Sequence, residues 1–258
     1  PTRPNGARHG RRRYISQMKL LLDIGNTHTS AALSTRGRVG KLLEFPTHKW
    51  PDQRPLRKLI GKHKLTATAC CSVVPAATKL AKNICPGPFT TLTHTNCGVT
   101  LRYPKPASIG PDRLANARAA LKEFGGPVLV VDFGTAVTFD IVDDSGAYVG
   151  GVIAPGLSAM TNYLHEKTAL LPAIELRDHG SAIGKTTVQA MQIGAVHGYR
   201  GLVQGLIKEI RLSLGVKKLP VIATGGCARL IGLKIPEVNA IRSRLTLNGL
   251  RLASNDWN

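Results

Sequence analysis

The sequence holds five cysteines and no C-x-x-C pair, and two of the five, Cys70 and Cys71, are adjacent inside an apolar run. That argues against a disulfide framework or a thiolate zinc site and reads as free thiols in a reducing, cytoplasmic compartment. There is no H-E-x-x-H pair for a histidine-bound metal and no G-x-S-x-G nucleophile elbow. No apolar stretch reaches the roughly 18 to 20 residues that span a membrane. The run Leu20 to Leu22 is broken at once by Asp23, so neither a membrane helix nor a signal peptide is expected. Gly184-Lys-Thr-Thr187 looks like the end of a P-loop, but His179 stands where that motif needs its first glycine. Glu175 to His179 is no buried strand either, so the P-loop is rejected and Lys185, Thr186 and Thr187 are polar groups at a helix start.

Acidic residues are scarce as well: 15 Asp and Glu face 35 Lys and Arg, a formal net charge of +20. Five of the positive charges (Arg3, Arg8, Arg11, Arg12, Arg13) fall in the first seventeen residues, where there is no acid. Residues 1–17 are expected to be a disordered basic leader or upstream extension ahead of a start at Met18. The remaining excess is spread along the chain, and no recognisable nucleic-acid-binding motif accompanies it. What is present is enough apolar material for a sizeable core, at 43% hydrophobic over 258 residues. That length suits one large domain or two of about 110 to 130 residues.

From Met18 an apolar run ends in the glycine turn Asp23-Ile-Gly-Asn-Thr27 and returns through Leu33, a buried strand, a turn and a second strand. Val39 to Phe45 extends the meander, and the β-branched run Thr66 to Val74 predicts a further buried strand. The same opening recurs 109 residues later, where Val128 to Val131 leads into Asp132-Phe-Gly-Thr135 and a return through Val142. The recurrence reads as a duplicated α/β unit, with halves 18–124 and 125–258 meeting near Gly125-Gly126-Pro127. Leu114, Ala117, Leu121 and Phe124 fall at helical spacing between Pro111 and Gly125, which puts Asp112 and Arg113 at a helix start. The helix dipole and Arg113 are both expected to favour the Asp112 carboxylate. A longer helix, about Thr186 to Leu212, carries Gly194, Gly198, Gly201 and Gly205 on one face. Helical glycine costs about 1 kcal/mol relative to alanine, so that face suggests close approach of another backbone at a domain or subunit interface.

Four loops could meet a nucleotide. In each of the two hairpin turns, a glycine frees backbone amides for phosphate while the aspartate can hold a cation, directly or through water. Gly150-Gly-Val-Ile-Ala-Pro-Gly156 ends one strand and turns into a helix beginning near Ser158. Thr224-Gly225-Gly226 follows the apolar run Val221 to Ala223 as a strand-to-helix glycine turn.

Taken in order with Gly110-Pro-Asp-Arg113 and Gly184-Lys-Thr-Thr187, these segments resemble the type III pantothenate kinases, a family that also contains proteins described as Bvg accessory factors. The resemblance runs from Met18 to the C-terminal region. It implies a duplicated actin-like, ribonuclease-H-like α/β fold, as in acetate and sugar kinases, and phosphorylation of pantothenate by ATP on the way to coenzyme A. It implies that Asp23, Ile24, Gly25, Asn26, Thr27, His28, Thr29 and Ser30 form the first ATP phosphate loop, with Asp23 helping to place magnesium (Mg2+) on the phosphates. Thr135 would contact ATP and Asp132 would bind a monovalent cation, potassium (K+) or ammonium (NH4+). Asp112 would be the general base, with Tyr103, Gly110, Pro111, Asp112, Arg113 and Thr187 around pantothenate. The family is dimeric, with substrate pockets near the subunit interface, so a homodimer packed through the glycine-faced helix is expected. Pro111 and the lysine-free continuation His28-Thr29-Ser30 depart from the usual pattern. The competing classes are a regulatory or nucleic-acid-binding protein that keeps the fold, and a phosphohydrolase built on it.

Overall fold

The computed structural model describes residues 18–50 and 52–257; the basic leader expected at 1–17 lies outside the described residues. The first half opens with an antiparallel meander, β1 (Lys19–Ile24), β2 (His28–Ser34) and β3 (Val39–Pro46). Helix α1 (Arg54–Ile60), strand β4 (Ala67–Ser72), helix α2 (Pro75–Ile84) and strand β5 (Phe89–Thr91) follow, with β4 and β5 parallel to β1. A two-residue strand, β6 (Thr100–Leu101), precedes α3 (Pro111–Phe124). Proline opens α3 and Gly125 ends it, as the sequence spacing predicts.

The second half repeats the plan. A meander of β7 (Val128–Phe133), β8 (Ala136–Val142) and β9 (Ala147–Pro155) leads to α4 (Leu157–Lys167) and the long α5 (Thr187–Leu214). Strand β10 (Val221–Thr224), the short α6 (Ala228–Gly232), β11 (Val238–Ile241) and α7 (Leu245–Asn255) complete it. The sheet orders are β3-β2-β1-β4-β5 and β11-β10-β7-β8-β9-β6. Apart from the edge strand β6, the two sheets have one topology, and Asp23 and Asp132 each stand fifth in a six-residue opening strand.

Strand alternation decides where those two acids point. On β1, Leu20, Leu22 and Ile24 bury against α1 and α2, while Leu21 faces the other way, with α3 and α7. On β7, Leu129, Val131 and Phe133 pack with α5 and α6, and Val128 and Val130 face α3 and α7. Asp23 shares its face with Leu21, and Asp132 shares its face with Val130. Both therefore reach the layer between the sheets, which α3 and α7 fill. Leu114 and Leu250 in that layer are fully buried, each worth about 1.5 to 3 kcal/mol of hydrophobic stabilisation. Although α7 belongs in sequence to the second half, it packs on α3 and on the first sheet. No helix among the described residues is long and apolar enough to cross a membrane.

Candidate active site

The cleft is built from the ends of β1 and β7 and the start of α3. The hairpin tips that follow the two strands touch, with Thr27 Oγ1 2.8 Å from Thr135 Oγ1. Asn26, Thr27 and His28 are exposed there. Ile24 and Thr29 are not available as side chains. Ile24 is fully buried in the first core, and Thr29 accepts the Trp50 indole N–H at 2.9 Å and bonds Thr47 Oγ1 at 3.1 Å. Ser30, half-buried, donates to Glu44 at 3.3 Å.

Three carboxyl groups meet below the tips. Burial, then the charges of Asp112 and Asp132, push the Asp23 carboxyl up to about 8; a hydrogen bond from the Cys71 thiol, its register neighbour on β4, pulls the other way. Asp132 is pushed up to about 6, chiefly by burial, with Asn116 opposing and Asp112 and Asp140 adding to the rise. Asp112 is also raised. The sequence led us to expect a carboxylate favoured by its helix start and by Arg113, but burial outweighs both. Arg113 gives Asp112 only its backbone N–H, at 2.9 Å to Oδ1, because its guanidinium is engaged elsewhere.

That engagement fixes the acceptor side of the cleft. Arg113 Nε donates to Asp140 Oδ1 at 2.6 Å. Asp140, fully buried, also accepts from Tyr148 Oη at 2.9 Å and Thr138 Oγ1 at 3.1 Å. The guanidinium carbon lies 5.9 Å from the centre of the Tyr148 ring, and Tyr103 stands edge-on to that ring at 6.2 Å. A side chain at Gly151 would put its Cβ 2.6 Å from Arg113 Nη2 and 1.8 Å from the Phe139 carbonyl, so this close approach requires glycine. Gly225, with φ +89°, closes over Asp132 in the same way; a Cβ there would stand 2.5 Å from Oδ1. A depression of about 340 Å3 lined by Leu92, Thr93, His94, Ala107, Ile109 and Pro111 adjoins the start of α3.

The structure thus brings Asp23, Asp112, Asp132, Thr27 and Thr135 to one cleft, with Gly110, Pro111, Arg113 and Tyr103 beside it. Thr187 is set apart. It opens α5, which packs on α4 and α6, beside a depression of about 450 Å3 lined by Glu175, Arg177, His179, Thr186, Gln189 and Gln192. The sequence reading missed Asp140, Tyr148 and Asn116. An acid at an inward position of β8, and an asparagine on the buried face of α3, were the available signals.

The carboxyl groups of Asp23, Asp112 and Asp132 are hard oxygen donors, which suit hard cations such as magnesium or potassium. Among the described residues no group of three or more acidic, histidine or cysteine side chains could by itself hold a metal ion. A cation here would therefore share its ligands with phosphate and water.

A sequence profile of the type III pantothenate kinases matches residues 19–209. A type III pantothenate kinase of Methylacidiphilum infernorum is 43% identical over 235 residues, covering 90% of this chain and 86% of that protein. Among solved structures, a protein described as a Baf family transcriptional activator from Campylobacter jejuni superposes with a TM-score of 0.61 at 20% identity, covering 92% of this chain and 97% of the other. Component A of the (R)-2-hydroxyglutaryl-CoA dehydratase of Acidaminococcus fermentans gives 0.51 at 15% identity, covering 92% and 96%. These two likenesses concern the fold, which is the duplicated actin-like one, while the sequence matches reach the family. The chain belongs to the type III pantothenate kinase family.

Proposed function

We propose that the protein transfers the terminal phosphoryl group of ATP to the primary alcohol of pantothenate, giving 4'-phosphopantothenate and ADP, the first step toward coenzyme A. The observation that carries this reading is the meeting of Asp23, Asp112 and Asp132 in one cleft between two touching glycine hairpins, with an anchored arginine alongside. The hairpins grip the phosphates from two sides. Asp112, at the start of α3, takes the proton of the alcohol as its oxygen bonds to the γ-phosphorus and the bond to the β-phosphate oxygen breaks. Its raised proton affinity brings it closer to the working pH of a base. Arg113 keeps two Nη groups beyond the Nε spent on Asp140, a fork suited to the pantothenate carboxylate. Asp23 would hold magnesium through the phosphates and Asp132 the monovalent cation, and their positive charge would offset that of the phosphates and of the crowded acids.

The same reading includes a homodimer. Gly194, Gly198, Gly201 and Gly205 are exposed, and a Cβ built on any of them meets nothing within 4 Å, so no backbone among the described residues covers that face. Tyr163 on α4, Val188 on α5 and Ile183 just before α5 are exposed apolar side chains that a second copy would cover. Thr187 borders this side, which fits a substrate pocket near the interface. The five thiols are unpaired and four of them are buried, in keeping with a cytoplasmic setting.

The test is ADP release with ATP, magnesium and potassium, with and without pantothenate. ADP that depends on pantothenate, and falls when sodium replaces potassium, supports the proposal. ADP formed equally without pantothenate would make the protein a phosphohydrolase or assign it another acceptor.

A further inference from the structure

Helix α3 presents a second polar group to the cleft one turn after Asp112, on the same face. Asn116 is fully buried, and both ends of its amide are engaged. Its Nδ2 donates to Asp132 Oδ2 at 2.9 Å, and its Oδ1 accepts from Thr246 Oγ1 at 2.9 Å. Thr246 is the second residue of α7.

The three groups form a chain with one direction. An ionised carboxylate only accepts, so the amide must turn its nitrogen to Asp132. Its oxygen is then left facing α7, where only a donor satisfies it, and the Thr246 hydroxyl is that donor. Without the hydroxyl the amide can rotate by half a turn with little change of shape, aiming oxygen at oxygen across the Asp132 contact. The frame around the chain is stiff. A Cβ on Gly249 would lie 1.7 Å from the Ala115 carbonyl, so α7 and α3 sit at backbone contact beside these groups. On the other side of Asp132, Oδ1 lies beneath Gly225.

We infer that Asn116 and Thr246 are positioning residues for Asp132: they tie Oδ2 to α3 while Oδ1 packs beneath Gly225, so α7 sets the geometry of the cation-binding carboxylate. This rests on the reading of Asp132 as the monovalent-cation ligand. The hydrogen bond runs to a charged group, and its loss is of the size that shifts a binding constant about tenfold.

The experiment compares full-length wild type with Thr246→Val, Thr246→Ser and Asp132→Asn. Potassium half-activation is one readout. The other is calorimetric affinity for a non-hydrolysable ATP analogue in potassium and in choline at one ionic strength, with a melting curve for each protein. Thr246→Val should raise the potassium half-activation concentration about tenfold and remove most of the potassium-dependent gain in nucleotide affinity. Affinity in choline and KM for pantothenate should stay within about twofold, and Thr246→Ser should restore the wild-type response. If the valine variant does not fold, Thr246→Ala carries the same expectation. A wild-type potassium response in folded Thr246→Val overturns the relay alone, as does an equal loss of affinity in potassium and choline, which would mark general damage to packing. An unchanged potassium response in Asp132→Asn overturns the cation reading, and the relay with it.

Discussion

Replacing Asp23 by asparagine should stabilise the free protein at neutral pH while impairing its use of nucleotide. Burial and the neighbouring charges of Asp112 and Asp132 push the Asp23 carboxyl up to about 8, from an ordinary value of 3.8. The folded chain therefore holds a proton that the unfolded chain releases between those values, so stability falls as pH rises from about 4 to about 8. At roughly 1.36 kcal/mol per unit, the ceiling on this cost near pH 7.5 is about 5 kcal/mol. Solvent entering the open cleft reduces it to about 2 or 3 kcal/mol, which corresponds to roughly 5 to 10 °C in a chain of this size. Melting curves in chelator without nucleotide, at pH 4.5 and pH 8, isolate the effect. Asp23→Asn should gain those degrees at pH 8 and only about a fifth of them at pH 4.5, which lies just above the ordinary carboxyl value of 3.8 that the unfolded chain keeps. An equal or lower midpoint at pH 8, or a gain of the same size at both pH values, would refute an acid strained by burial and by its acidic neighbours.

Further outcomes follow from the same geometry. Asp112→Asn should lower kcat by about 10² to 10⁴ while affinity for ATP stays within about twofold; retained turnover would remove Asp112 as the base. Asp132→Asn should abolish activation by potassium in a titration against sodium, and an unchanged response would undo that assignment. Asp140→Asn removes the buried charge that holds Arg113 Nε at 2.6 Å and should raise KM for pantothenate at least about tenfold. An acceptor whose carboxylate is replaced by a neutral alcohol should lose far less, and equal losses would mean that Asp140 acts on the fold and not through the Arg113 fork. Gly198→Leu should convert a dimer into monomers in sedimentation velocity; a monomeric wild type would contradict the proposed interface.

Much of the frame was legible because its signals are local. The proline at position 111 and the glycines at 125 and 126 bound α3, and the paired openings ending in Asp23 and Asp132 announced two sheets of one topology. Period-two alternation of short apolar strands sufficed for the meanders. What was not legible depends on partners far apart in sequence. Arg113 faces Asp140 across 27 positions, and Thr246 reaches Asn116 across 130, so neither pairing leaves a mark in the pattern around either residue. Asp112 shows the limit most clearly: its helix start and its neighbour Arg113 argued for an easily ionised acid, but the depth of the cleft decided the outcome. Thr29 is the same lesson in reverse. It lies within a phosphate-loop pattern, yet its hydroxyl is spent on Trp50 and Thr47.

The central claim is that the three-acid cleft moves a phosphoryl group from ATP to an alcohol of pantothenate rather than to water. The most direct measurement is the identity of the product, by mass spectrometry and phosphorus NMR, after the full-length protein is incubated with ATP, magnesium, potassium and pantothenate. A phosphomonoester on the primary alcohol of pantothenate, formed one for one with ADP, is the result expected. Orthophosphate as the only new phosphorus species, with pantothenate unchanged, would contradict the account.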